Sequence, residues 1–225
     1  MYRFALIVAG ACLASAVPSL AGAAFEFDSA ANSYNNNNWN FANSFTVLST
    51  VTVSGLGYYA DPSNGQVDNN SVALFRCDTA GCLTTGTQLA SAIVTNTYAI
   101  FGHFRYVTVA NVTLAPGDYE VAGVSVGNNY TWDDPGFHTD PSIVYNDNRW
   151  QLTGGATNAF FLNYTQNDVT HGYWGPNVFF GASGGGGGFT GGVPEPASWV
   201  MMITGFGLVG GALRNMRRRP VELVV

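Results

Sequence analysis

Between residues 25 and 182, short apolar runs alternate with polar, turn-forming segments, and no segment sustains the 3.6-residue apolar period of an amphipathic helix. The runs are rich in Val, Thr, Phe and Tyr, and Gly, Asn, Asp and Pro separate them. The predicted strands are 44–48, 51–59, 72–77, 88–94, 104–109, 119–126, 159–164 and 178–181. Short strands at this spacing predict one all-β domain, an antiparallel β-sandwich or jelly-roll-like fold.

Residues 1–24, which precede this domain, have the form of a secretory signal peptide with a helical apolar run. Arg3 is followed by uncharged, mostly apolar residues 4–17, and small residues follow. The segment Ala21-Gly22-Ala23 matches the A-x-A form of a signal-peptidase site, so cleavage is expected near Ala23 or Ala24. The alternative is an uncleaved membrane anchor, for which the apolar run is short.

A second uncharged segment, residues 197–213, predicts a single C-terminal transmembrane helix of minimal length. A Gly-rich linker, residues 183–192, precedes it, followed by Pro194, Glu195 and Pro196. The arginines expected to stop transfer and to stay cytoplasmic are Arg214, Arg217, Arg218 and Arg219. This topology places the body, residues 25–182, outside the inner membrane and the tail, residues 220–225, in the cytoplasm.

Residues 193–219 resemble the PEP-CTERM sorting signal of Gram-negative bacteria. The shared features are the Pro-Glu-Pro tripeptide, Trp199 three residues later, the core M-M-I-x-G-F-G-L-x-G and the Arg-rich end. The resemblance implies recognition by an exosortase, removal of the helix near the tripeptide, and delivery of the body to the cell surface or extracellular matrix. The alternatives are a permanent single-span anchor and a helix dimer through Gly207 and Gly211.

Parts of the body resemble the uncharacterised β-sandwich ectodomains that often precede PEP-CTERM tails. The resembling stretches are 41–61, 71–94, 104–123, 137–150 and 173–182. This second resemblance implies a fold and a surface role, and it brings no catalytic activity with it.

The charge of the body restricts its partners. The chain has no Lys and a net charge of −6, and between residues 24 and 193 three Arg stand against twelve Asp and Glu. A nucleic-acid-binding protein needs a basic face to replace the counterions of the phosphates, so we expect no nucleic-acid partner. Hydrophobic residues make up 47% of the chain, enough to build a core.

Two cysteines, Cys77 and Cys82, remain in the body once Cys12 leaves with the signal peptide. In an oxidising compartment this pair predicts a disulfide that pins a hairpin loop. A metal site would need more ligands nearby than Asp78, and a redox motif is normally C-x-x-C, so both alternatives are poor.

Patterns for catalysis are sparse, and we expect no enzyme activity. The three histidines His103, His138 and His171 are scattered, no G-x-S-x-G elbow occurs, and the body has only Glu26 and Glu120 as glutamates. A secreted polysaccharide-active hydrolase with a pair of aspartates is the least favoured alternative.

No cofactor is expected, with one weak candidate for Ca²⁺ in an acidic loop. Its ligands would be Asp133, Asp134 and Asp140, since hard oxygen ligands on loops suit this ion. The competing interpretation is that Asp and Asn here simply form turns.

Four tryptophans lie in Asn-rich or Gly-rich surroundings and are candidates for stacking on sugar rings: Trp39, Trp132, Trp150 and Trp174. The competing explanation is core packing, because Trp is usually well buried. The leading hypothesis is therefore an exported, non-enzymatic surface or matrix protein, associated with exopolysaccharide or biofilm. Its partners would be signal peptidase, exosortase and extracellular polysaccharide. The alternative is a lectin-like carbohydrate-binding module.

Overall fold

The computed structural model describes residues 22–30, 33–34, 36–60, 69–79, 82, 85–127, 130–132, 134–154, 160 and 173–181. Within these ranges the regular structure is β-strand, and no α-helix occurs among them. The strands are β1 (Gly22–Ala23), β2 (Phe25–Glu26), β3 (Ser33–Tyr34), β4 (Asn38–Val47), β5 (Val51–Tyr59), β6 (Asn70–Cys77), β7 (Gly86–Val94), β8 (Ile100–Phe101), β9 (Phe104–Leu114), β10 (Gly117–Val126), β11 (Tyr130–Trp132), β12 (His138–Thr139), β13 (Ile143–Leu152), β14 (Tyr173–Trp174) and β15 (Pro176–Phe180).

Two five-stranded antiparallel sheets form the body of the molecule. The first has the strand order β1-β15-β5-β9-β8, and the second has the order β13-β4-β10-β6-β7. Strand β9 contacts β7 and strand β15 contacts β10, so the sheets face each other as a sandwich. The chain crosses from one sheet to the other repeatedly, for example from β4 to β5 and from β5 to β6. The predicted antiparallel all-β fold is confirmed.

A segment at the N-terminal side, residues 22–28, closes one side of the sandwich, and we call it the N-terminal seam. Its strand β1 pairs with β15 of the first sheet. Its strand β2 pairs with β12, which precedes the edge strand β13 of the second sheet. The backbone amide of Asp28 donates to the carbonyl of Pro135 at 2.9 Å. The seam therefore joins the two sheets at an edge that the sandwich would otherwise leave open.

The core lies between the inner faces of the two sheets. The second sheet contributes Phe45, Leu74 and Val121, and the first contributes Leu56 and Val178; all are fully buried. Gly123 allows β10 to approach β15, because a Cβ there would lie 2.9 Å from Cβ of Pro176. A larger residue at this position would push the sheets apart.

The central part of the outer face of the second sheet is also buried, which is unusual for an antiparallel sheet, whereas Gln88, Ser91 and Val144 on its edge strands are exposed. Its polar residues form what we call the outer polar layer: Asn40, Ser44, Glu120, Asp147 and Arg149. Four of these five are 0–1% exposed, and Asp147 is partly buried. Small and aromatic residues lie beside them on the same face, with Ala73 and Ala122 packed near Phe75 and Phe160.

The strand predictions succeeded where apolar residues are frequent. Strand β5 has the predicted bounds, whereas β4 begins at Asn38, six residues before the predicted start. Strand β13 was not predicted, because its central residues, 146–149, are polar or charged. The predicted strand at 159–164 lies outside the described residues except for Phe160.

The predicted signal peptide and the predicted C-terminal sorting signal lie outside the described residues, apart from residues 22–24. The signal-peptide helix, the Gly-rich linker, the Pro-Glu-Pro tripeptide, the transmembrane helix and the arginine cluster therefore stay predictions. Among the residues that the structure does describe, no helix is long and apolar enough to cross a membrane.

Candidate functional site

Five aromatic rings gather at one end of the sandwich and form the aromatic end cluster: Tyr34, Trp39, Phe41, Tyr130 and Trp150. Trp39 and Phe41 lie two residues apart on β4, so they share the inner face, and their rings stack at 6.2 Å. Trp150 lies opposite Phe41 in the register of β13 and meets Trp39 edge-to-face at 5.2 Å. Tyr130 packs on Phe41 at 4.7 Å and on Tyr34 at 5.3 Å.

Asn36, which is exposed, links the rings of this cluster. Its backbone carbonyl accepts a hydrogen bond from Nε1 of Trp39 at 3.0 Å. Its side-chain oxygen accepts from the same Nε1 at 3.2 Å and from the hydroxyl of Tyr130 at 3.1 Å. Trp39 and Trp150 are both half-buried. The cluster therefore presents aromatic surface and amide groups together at the rim of the sandwich.

The structure brings together two of the four tryptophans predicted to stack on sugars. Trp132 is half-buried on β11, and its Nε1 atom is out of contact with solvent. Trp174 pairs through its backbone with Thr131, and its side chain is outside the described part of the molecule. Edge-to-face packing holds Trp39 and Trp150 at fixed positions, as a stacking site requires.

A second group of polar residues is the outer polar layer, where Arg149 is the centre. One guanidinium nitrogen of Arg149 donates both to the carboxylate of Glu120 and to the carbonyl of Cys82, the latter at 2.8 Å. Asp147 approaches Nε of Arg149 at 4.0 Å. Burial raises the pKa of Glu120 to about 8, and the guanidinium of Arg149 opposes that rise. Burial also raises the pKa of Asp147.

The predicted disulfide between Cys77 and Cys82 is present, with a Cα–Cα distance of 4.6 Å. It closes the hairpin between β6 and β7, which are neighbours in the second sheet. The backbone amide of Asp78 donates to the carbonyl of Thr85 at 3.1 Å inside this loop. Because Cys82 is buried and binds Arg149, the loop covers part of the outer polar layer.

Glu26 at the N-terminal seam contacts one histidine and lies opposite a second in the strand pairing. Nδ1 of His103 and Oε1 of Glu26 are 2.6 Å apart, and the ring of Phe27 stacks on His103 at 4.2 Å. His138 lies directly opposite Glu26 in the pairing of β12 with β2. His171 lies outside the described residues.

The acidic loop shows local roles for its described members. Asp134 accepts a hydrogen bond from the hydroxyl of Thr131 at 2.8 Å, and Asp140 accepts one from the backbone amide of Ser142 at 2.8 Å. Asp133 lies outside the described residues. Among the residues described, no group of three or more His, Cys, Asp or Glu side chains could hold a metal ion. The calcium hypothesis stays a prediction.

Sequence reasoning missed the ion pair of Glu120 with Arg149. The scarcity of these residues was a partial signal, since the body has only three arginines and two glutamates, but only Glu120 lay in a predicted strand. Asn36 and Phe41 were also missed as members of a site, because they act through neighbours from other strands.

Residues 192–219 match the family described as the PEP-CTERM protein-sorting motif. A search of curated proteins found no match to this chain. The motif implies an exported protein that an exosortase processes and that reaches the cell surface or the extracellular space. The chain thus combines a sorting signal with a body of β structure.

Proposed function

We propose that this protein is a non-catalytic component of the cell surface or of an exopolysaccharide matrix. In this scheme the C-terminal helix holds an inner-membrane intermediate until an exosortase releases the β-sandwich. The observation that carries the proposal is the sorting motif at residues 192–219, which follows the last strand of the sandwich after a Gly-rich linker.

The physical properties of the tripeptide and of the uncharged segment support this scheme. Because proline fixes its φ angle and lacks an amide donor, we expect the Pro194-Glu195-Pro196 tripeptide to be extended and accessible to an enzyme. The uncharged segment of seventeen residues is barely long enough for a bilayer core, and the arginines behind it resist translocation. Processing therefore happens at the outer side of the membrane.

The sorting step is tested by replacing Pro194, Glu195 and Pro196 with alanine. We expect the variant to accumulate uncleaved in the inner membrane, while the wild type is processed, as read by fractionation and mass spectrometry. The matched control replaces Gly184, Gly185 and Gly186 of the linker with alanine and should be processed normally. Normal processing and release of the tripeptide variant would contradict the proposal.

The non-catalytic part of the proposal is supported by how the two glutamates of the body are used. Glu120 is fully buried against Arg149, and Glu26 is paired with His103. A glycoside hydrolase needs two carboxyl groups that reach the substrate, and Glu120, which is fully buried, cannot serve as one of them. Turnover of polysaccharide or ester substrates by the purified body would contradict this part.

We further propose that the aromatic end cluster binds extracellular polysaccharide. Flat indole faces suit the C–H faces of sugars, and amide groups such as that of Asn36 can bond hydroxyls. The specific observation is that Trp39 and Trp150, which are 111 positions apart in the chain, pack together at the rim of the sandwich.

Glycan binding is tested by retention of the body on polysaccharide from the producing cells. The variants Trp39→Ala and Trp150→Ala should each lose most of the retention, on the order of tenfold for about 1.4 kcal/mol of lost contact. Tyr98→Ala, which removes a half-buried aromatic ring elsewhere, is the control and should bind normally. Equal retention of all variants would exclude the cluster as the binding site.

A further inference from the structure

A cleft of about 310 Å³ opens beside the N-terminal seam. Gly22 and Ala23 form one part of its wall, and Glu26, His138 and Asp140 form the part that carries ionisable groups. The first two residues belong to the segment that signal peptidase is expected to remove. Part of the cleft wall is therefore formed by residues that the mature protein would lack.

Ala24, the next residue, is built into the sandwich. It is fully buried, its backbone amide donates to the carbonyl of Val178 at 2.8 Å, and its carbonyl accepts from the amide of Asp140 at 3.0 Å. These two bonds connect β15 with the loop before β13. Removal of Ala24 would leave both partners without these bonds in a buried place, which is costly.

Phe25 is bound even more firmly. Asn177 brackets its backbone, donating to the carbonyl at 2.7 Å and accepting from the amide at 3.3 Å. Its ring meets those of Phe45 and Tyr145 edge-to-face at 5.7 and 5.5 Å. The sequence allows cleavage after Ala23 or after Ala24. Cleavage after Ala24 would remove the contacts of Ala24, whereas cleavage after Ala23 keeps the contacts of both Ala24 and Phe25.

Gly22 and Ala23, by contrast, contribute little. They are half-buried, their strand partners are Phe180 and Phe179, and Ala23 packs against the edge of the core, while a Cβ added at Gly22 would meet nothing within 4 Å. Their removal extends the cleft as far as the nitrogen of Ala24. That nitrogen becomes an ammonium with three protons to donate, one of which already faces Val178.

We propose that signal peptidase cleaves after Ala23 and that the new α-ammonium of Ala24 occupies this cleft as a structural cation. Its partners are the carbonyl of Val178 and the carboxylates of Asp140 and Glu26, whose charge is opposite to its own. His138 is the remaining ionisable group of the cleft wall, and His103 lies against Oε1 of Glu26 at 2.6 Å. The proposal rests on export as proposed above, and it also requires that cleavage precedes folding, because the folded seam buries Ala24.

The experiment uses the mature protein recovered from the extracellular fraction. We expect mass spectrometry to find Ala24 as the first residue. The α-amine is then labelled with acetic anhydride across a pH series, beside the reference peptide Ala-Phe-Glu-Phe-Asp. In the folded protein we expect labelling at pH 8 to be at least tenfold slower than in the peptide, because the ammonium form is held by carboxylates.

Two variants separate the carboxylates from the loop. Asp140→Asn should bring labelling back toward the peptide rate, and Ser142→Ala, which removes only a hydroxyl that donates to Asp140, should not. A first residue at Phe25 or later, retention of Met1, or peptide-like labelling of the wild type would overturn the proposal. The C-terminal mass of the same sample reports exosortase cleavage separately, so failure of one proposal is distinguishable from failure of the other.

Discussion

Both faces of the second sheet are buried at its centre, yet they are built from different chemistry. On the inner face, Phe45 and Val121 are fully buried among other apolar side chains. On the outer face, their chain neighbours Ser44 and Glu120 are equally buried, beside Arg149. Side-chain alternation decides which face a residue joins, but it does not decide whether that face meets water.

The two faces should therefore respond differently to substitution. Apolar burial is non-directional and roughly proportional to area, so the inner face loses stability in proportion to what is removed. The outer face depends on matched partners, since a buried charge is tolerated only beside its counter-charge and hydrogen bonds. Loss of one partner should cost more than loss of both.

The largest expected effect is that of Arg149→Ala. Above pH 8, where Glu120 of the wild type is ionised beside Arg149, this variant must either bury the carboxylate without its counter-charge or protonate it, and it should lose about 3–5 kcal/mol of unfolding free energy in urea titrations. Phe45→Ala on the inner face should lose a similar amount, about 3–5 kcal/mol. At pH 5 the loss from Arg149→Ala should be smaller, because Glu120 can take up a proton.

Removing both charges distinguishes the faces. The double variant Glu120→Met, Arg149→Met should recover most of the stability lost by Arg149→Ala, because no charge remains buried. No second substitution should rescue Phe45→Ala in this way. A double variant as unstable as Arg149→Ala would mean that the outer face tolerates charge no differently from the inner one.

An effect of comparable size is expected from pH. The pKa of Glu120 is about 8 in the folded protein against its ordinary value of 4.5, so the folded state binds this proton more tightly. The contribution of Glu120 is thus fully present below about pH 4.5 and is lost as the pH rises through 8. We expect the unfolding free energy to fall across this interval, by up to about 1.4 kcal/mol per pH unit.

The control for this pH dependence is Glu120→Gln, which cannot titrate. Its unfolding free energy should depend on pH much less, with a residual slope of the same sign from Asp147, whose pKa is also raised. Stability of the wild type that is constant from pH 5 to pH 8 would show that Glu120 stays ionised beside Arg149.

Loss of the disulfide should have a smaller effect again. Replacing Cys77 and Cys82 with serine removes a constraint on a short loop, worth about 2 kcal/mol on the chain-entropy view. Because the carbonyl of Cys82 accepts from Arg149, the loss should be about 1 kcal/mol smaller in the Glu120→Met, Arg149→Met background. Equal losses in both backgrounds would show that the loop and the outer polar layer are independent.

The smallest effect concerns a polar group on the inner face. The hydroxyl of Tyr119 donates to the carbonyl of Ala115 at 2.9 Å, at the connection between β9 and β10. Tyr119→Phe keeps the ring in the core and should lose only about 1 kcal/mol in the same urea titrations. A loss as large as that of Phe45→Ala would contradict the view that the inner face depends mainly on apolar area.

Much of the fold could be predicted, because apolar residues at alternate positions mark both the strands and the side chains that face the core. Strand β5 was predicted to the residue, and the spacing of Cys77 and Cys82 predicted their disulfide. Strand β13 was not predicted, since its buried outer residues, such as Arg149, have the polarity expected of an exposed face. Two-residue strands such as β2 carry no periodic signal at all.

The candidate site could be predicted only in part, for a related reason. Trp39 and Trp150 were named by their type and surroundings, but their meeting depends on the pairing of β4 with β13, which strand periodicity does not specify. Glu26 and His103 are 77 positions apart and meet only through the seam. Contacts between residues that are distant in sequence can be predicted only after the pairing of the strands is known.

The hydrogen bonds that join β15 to Ala24 and Phe25 determine when the sandwich can close during synthesis and export. One of the last strands of the body to be synthesised holds one of its first segments, so the sandwich cannot be sealed until the chain through Phe180 has crossed the membrane. Such distant pairings form slowly. If the C-terminal segment holds the chain in the membrane as proposed above, its removal is best timed after the sandwich has closed.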